Sequence, residues 1–323
     1  MYKISTVNLA FENLTSVSAL VFALGFFAAR IKSDIRIPDS SYQLISIFLL
    51  FGIGLKGGVA MRQSNWADAI LPILVTILVG ALIPLLAFFA LRLIRKLADV
   101  DRGSVAAHYG STSLVTFTAA LVFLESSGVF YEPFAVALLT VMEIPGLIVG
   151  IFLGSRALST APSWLHTMRE ILLGKTVLLL VGGMIVGAIS GPAGFAKVVP
   201  FFVDLQPGIL ALFLLHLGFV AGSQFESIKA TGLPLAVFGV AFPVAAGCLG
   251  VVAGDLSGLS TGGSFVLGVL SASASYIAAP AAVSIALPKA NLSLAVTSSL
   301  AVTFPFNLTL GMPIFFGFAN FLA

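Results

Sequence analysis

The chain has 323 residues, of which 59% are hydrophobic and only 9% charged, and its net charge is +3. Soluble domains carry roughly 45–50% apolar and about 25% charged residues. Charges this sparse exclude a water-soluble globule and point to a polytopic membrane protein. The small positive charge gives no case for nucleic-acid binding. The lone Cys248 excludes an internal disulfide and reads as a packed thiol.

A spanning helix takes about 20 mostly apolar residues. Ten such stretches follow one another: 14–31, 41–60, 67–93, 104–124, 133–154, 170–190, 206–224, 233–254, 262–287 and 292–322. The first begins just after Asn13 and has its basic cluster on the far side, which is not a signal peptide. With the N-terminus outside, the inner loops hold twelve basic residues: Arg30, Lys32, Arg36, Arg92, Arg95, Lys96, Arg102, Arg156, Arg169, Lys175, Lys229 and Lys289. The outer segments hold three, Lys3, Arg62 and Lys197. The positive-inside rule therefore places both termini outside. The spans read as two inverted five-helix repeats, residues 1–160 and 161–323, in an all-α integral membrane fold of ten transmembrane helices. The connection at 155–169 is short.

Within the second span, Lys56 in GLKGG reads as snorkelling to the surface. The fourth span contains HYGSTS, residues 108–113. Gly110 lets the chain turn, and Ser111, Thr112 and Ser113 offer caps for the half-helix that follows. The fifth span carries Glu143 in EIPG, the one carboxylate well inside a span. An ionisable group there is functional by default; sodium, a proton or Lys56 are its candidate partners. His216 in the seventh span reads as structural, and His166 as solvated. His108 is a candidate titrating group.

The ninth span breaks at SASASY, 271–276, before Pro280, and the tenth carries VTFPFNLTLGMP, 302–313. Each half thus has a hydroxyl-rich break four spans in, with a proline-bearing span after it. Interrupted helices four and nine, in inverted repeats, are the architecture of secondary transporters. Two half-helix N-termini meeting at mid-membrane make a site for a small anion. Freed carbonyls and hydroxyls are oxygen donors suited to sodium. The substrate candidates are Gly110, Ser111, Thr112, Ser113, Ser273, Ser275 and Tyr276. The coupling candidates are Ser271, Glu143, His108, Thr303 and Asn307. Enzyme motifs are missing: there is no HExxH, GxSxG, Walker loop or CxxC pair.

GLKGGVAMRQS (54–64), GST (110–112), EIP (143–145), the serine-rich break before Pro280 and TSS (297–299) together resemble the sodium-dependent bicarbonate transporter family first described in cyanobacteria. The likeness covers nearly the whole chain. It implies a sodium–bicarbonate symporter with no organic cofactor, forming a homotrimer in a bacterial inner membrane, with a PII-like cytoplasmic regulator in some members. Two places depart from that pattern. Tyr276 stands where the family has an aspartate, and His108-Tyr109 stand where small residues are usual. The other readings are a sodium- or proton-coupled carrier of a small organic carboxylate, with Glu143 and His108 handling a proton, and a membrane anion sensor.

Overall fold

The computed structural model describes residues 14–35, 37–158, 163–224 and 232–323. Every element in them is helical. In chain order they are α1 (Val17–Arg30), α2 (Asp39–Gln63), α3 (Trp66–Leu91), α4 (Asp99–Gly110), α5 (Leu114–Ser126), α6 (Ala135–Ser155), α7 (Trp164–Leu173), α8 (Lys175–Ala196), a π-helical turn (Pro200–Asp204), α9 (Gln206–Ser223), α10 (Leu233–Leu256), α11 (Thr261–Ala272), α12 (Ala278–Ala286) and the long α13 (Leu292–Leu322). Eight helical stretches among the described residues are long and apolar enough to cross a membrane. The first and ninth expected spans fall short of that length: α1 has 14 residues and α11 has 12. Of the charge count, Lys3, Arg36 and Lys229 lie outside the described residues, as does the 160/161 repeat boundary.

The sixth expected span needs correcting. Residues 170–173 belong to a separate helix, α7, and α8 starts only after the extended Gly174. On α7 the buried Thr167 and Ile171 are one turn apart, while Leu165 and Leu173 are exposed. The connection expected at 155–169 therefore runs into a surface helix. At its other end α8 kinks at Gly191, whose φ of 61° and following Pro192 stop the helical ladder. Two carbonyls freed there, of Ala188 and Ile189, accept hydrogen bonds of 3.0 and 3.1 Å from the Arg62 guanidinium.

The helices sort into two groups. α2 packs along α8, α1 along α9, and α2 touches α9. The remaining long helices form the second group, where α4 and α3 pack on α6, and α10 packs on α11, α13 and α3. Between membrane helices there is little hydrophobic drive, so close backbone approach must supply the attraction. GLKGG does this for the α2–α8 pair. A Cβ on Gly58 would sit 1.9 Å from the Met184 carbonyl oxygen, and one on Gly187 would sit 2.2 Å from that of Leu55. The α1–α9 pair repeats the device, with Gly25 against Leu215 and Gly218 against Phe22. In the second group Gly146 of α6 lies against the Gly110 carbonyl, at a distance no side chain could occupy.

These crossings make a paired prediction. Gly58→Ala forces α2 off α8 and costs about 1–3 kcal/mol of stability, as overpacking does, whereas Gly182→Ala meets open space. Thermal melting of the detergent-purified variants should fall clearly for the first and stay at the wild-type value for the second.

Candidate functional site

Both predicted interruptions are present. α4 ends at Gly110, and Ser111 and Ser113 adopt extended backbone before α5 begins at Leu114. Ser113 caps α5: its Oγ accepts from the Thr116 N–H at 3.3 Å. α11 ends at Ala272, and Ser273 is again extended. Ser275 Oγ accepts from the N–H groups of Ala278 and Ala279, at 3.3 and 3.2 Å, and so satisfies the first turn of α12.

Broken backbone inside a membrane needs partners from the protein, because lipid offers none. Each break supplies them to the other. The Ser113 N–H donates to Ser273 Oγ at 3.0 Å, and the Ser275 N–H donates to the His108 carbonyl at 2.8 Å. The Ser113 hydroxyl also reaches the Tyr276 phenol at 3.4 Å. Asn307 on α13 meets the freed Ala272 carbonyl through Nδ2 at 2.8 Å. Two half-helix N-termini, of α5 and α12, are thereby held side by side.

A cleft opens at this junction. Thr112, Ser113, Ser275 and Tyr276 line it from the breaks, and Glu143 lines it from α6. Leu50 of α2 and Thr176 of α8 close it from the other helix group. Glu143 is 1% exposed, and its Oε2 has no hydrogen-bond partner among the described residues. Among the described residues no lysine or arginine lines the cleft. An anion held here is met by hydroxyls and by the positive ends of two helix dipoles, whose first N–H groups Ser113 and Ser275 already cap. A cation held here is met by a carboxylate and hydroxyl oxygens. Among the described residues no group of three or more His, Cys, Asp or Glu side chains converges on a metal position.

Five of the twelve candidate residues named from the sequence line this cleft: Thr112, Ser113, Glu143, Ser275 and Tyr276. Gly110 and Ser273 shape it through backbone packing and the cross-break bond. Ser111 and Ser271 are buried with hydroxyls that find no partner among the described residues, and Ser271 lies against Gly250 of α10 rather than in the cleft. His108 bonds the Ser104 carbonyl through Nδ1 at 2.8 Å and does not line the cleft. Thr303 is also elsewhere, in a hydroxyl chain centred on Tyr109. Lys56 does not pair with Glu143: its ammonium lies 2.7 Å from Glu125.

The Tyr109 chain escaped sequence reasoning. Thr303 Oγ1 donates its single proton to the Gly239 carbonyl at 2.7 Å, so in its 2.6 Å bond with the Tyr109 phenol it must accept. The phenol has then spent its proton and accepts from Ser298 at 2.7 Å. Direction is fixed from Ser298 through Tyr109 and Thr303 to Gly239. The ring packs edge-on to Phe238 and Phe242. This ties the residue before Gly110 to α10 and to a π-helical stretch of α13, Thr297–Thr303. Leu50 and Thr176 were missed too, since nothing in their own spans marks them.

A search of curated proteins found no match to the chain. The family model described as the Na⁺-dependent bicarbonate transporter superfamily matches residues 18–320, nearly the whole chain. The likeness carried by GLKGGVAMRQS, GST and EIP thus extends through both broken helices and the cleft between them, and the chain is a member of the Na⁺-dependent bicarbonate transporter superfamily.

Proposed function

We propose that the protein is a sodium-coupled symporter of bicarbonate or a similar small anion, working by alternating access. The observation that carries this reading is the cleft itself. It joins two helix N-termini, which favour an anion, to a buried carboxylate whose Oε2 has no partner among the described residues, which favours a cation. The anion binds between Ser113 and Tyr276, at the first turns of α5 and α12. Sodium binds beside it on Glu143 and Thr112. Each ion offsets the charge of the other, so each binds more tightly when the other is present, and that reciprocity is the coupling.

The position of the cleft supports alternating access. Its polar wall belongs to the group containing α4, α5, α6 and α12, and its apolar lid, Leu50, to the other group. A shift of one group against the other exposes the ions first to one side and then to the other. Ten spans in two inverted repeats, 1–160 and 161–323, complete the reading. The packing pairs support it. Span two pairs with span six and span seven with span one, and these pairings exchange when each span is replaced by the one five further on. The same exchange relates the α3–α4 pair to the α10–α11 pair. In this reading both termini face outside, the membrane is a bacterial inner membrane, the assembly is a homotrimer, and a PII-like cytoplasmic protein is a candidate regulator.

A second reading keeps the fold and changes the coupling ion. The free Glu143 oxygen suits a proton as well as sodium, and a small organic carboxylate then replaces bicarbonate.

Uptake of labelled bicarbonate into proteoliposomes separates the two. An inward sodium gradient should drive accumulation, while a proton gradient alone should not. No sodium-driven bicarbonate uptake, together with proton-driven uptake of a labelled small organic carboxylate, favours the second reading. Thr112→Ala and Glu143→Gln should each lower sodium-driven uptake about tenfold, the cost of one lost bond to a charged group, with normal protein yield. Wild-type rates in both variants would contradict the assignment.

A further inference from the structure

The two helix groups also face each other away from the cleft, along a seam where α2 and α5 line the same two cavities. Leu50 on α2 and Leu114 on α5 line the cleft. Further along the same two helices, Ile53 and Lys56 face Leu121 and Glu125 around a second cavity, with Val136 of α6 beside them. Leu50, Ile53 and Leu121 are buried. The seam is therefore apolar from the cleft outward and ends in a charged pair.

That end is tied off by three side chains. Lys56 Nζ lies 2.7 Å from Glu125 Oε1 and 3.5 Å from the Tyr131 hydroxyl. The Tyr131 hydroxyl donates to the same Glu125 oxygen at 2.8 Å. Burial, and then the adjacent Glu125 carboxylate, push the Tyr131 phenol up from its ordinary value, so it remains a donor. Lys56 belongs to one helix group, Glu125 and Tyr131 to the other. The Lys56 and Glu125 side chains are 34% and 48% exposed. Ion pairs this wet are individually weak, which suits a contact that must break in every cycle.

We propose that Lys56, Glu125 and Tyr131 form a latch that clamps the two helix groups together at the 127–134 end of the seam. While it is closed the cleft is sealed on that side, and separation of the pair is the first step in opening there. The latch rests on the alternating-access reading. By the distribution of basic residues, its side is the outer one.

The test is thiol labelling of purified protein in detergent, which needs no substrate. Cys248→Ala removes the native thiol, and Leu121→Cys places a reporter in the seam beneath the latch. Glu125→Gln should raise the rate of maleimide labelling about fivefold, the shift that loss of a wet ion pair allows. Lys56→Glu together with Glu125→Lys should restore the slow rate, which general loosening would not. A second reporter, Val136→Cys, should report the same pattern if Leu121→Cys folds poorly. Unchanged labelling in Glu125→Gln, or failure of the charge-reversed pair to restore protection, overturns the latch. Sodium-driven uptake by the wild type is measured separately; its absence would remove the symport reading while leaving the labelling result intact.

Discussion

The structure depends on one constraint: inside a bilayer, every backbone polar group must find its partner within the protein. Breaking a single membrane helix violates that rule. Breaking two, at matched depth, and laying one break against the other satisfies it. Ser113 and Ser275 give their N–H groups to the opposite break, and Asn307 meets the carbonyl that α11 leaves behind. The N-termini of α5 and α12 are thereby fixed side by side by the chain's own hydrogen bonds. A site held in this way avoids the ordering cost that a flexible site would incur on binding.

Backbone proximity organises the rest. Glycines let α2 lie on α8 and α1 on α9 with no side chain between them. One group of four helices is held by those crossings, and the other group carries both breaks. Where the groups face each other side chains make the contact, as at Leu50 over the cleft, at Lys56 beside Glu125 and at Val136 of α6 against Gly57 of α2. Backbone-to-backbone crossings hold α1 to α9 and α2 to α8 within one group. The hydroxyl chain from Ser298 to Gly239 ties α10 to α13, and locks the residue that precedes Gly110.

Legibility in the sequence followed chemistry and sequence distance. Both breaks were readable because hydroxyls and a glycine interrupt an apolar run, which a lipid-facing helix has no reason to carry. Glu143 was readable because a carboxylate stands out in such a span. Its pairing was not: Lys56 was available to it on paper, but finds Glu125, 69 residues away, near the seam's end. Tyr109 was visible only as an oversized neighbour of the break, since its partners lie 189 and 194 residues along the chain. Leu50 and Thr176 resemble any other residues of their helices, and only packing brings them to the cleft. The end of the surface helix α7 reads as part of the sixth span because its leucines continue that span's apolar run, while the extended Gly174 that separates them leaves no local mark.

The central claim is that an anion and sodium share one cleft and bind reciprocally. Equilibrium binding of labelled bicarbonate to the purified protein, titrated across sodium concentrations, measures this directly. The account predicts a Kd for bicarbonate that falls as sodium rises, and a Kd for sodium that falls by the same factor as bicarbonate rises. A bicarbonate affinity indifferent to sodium would contradict it.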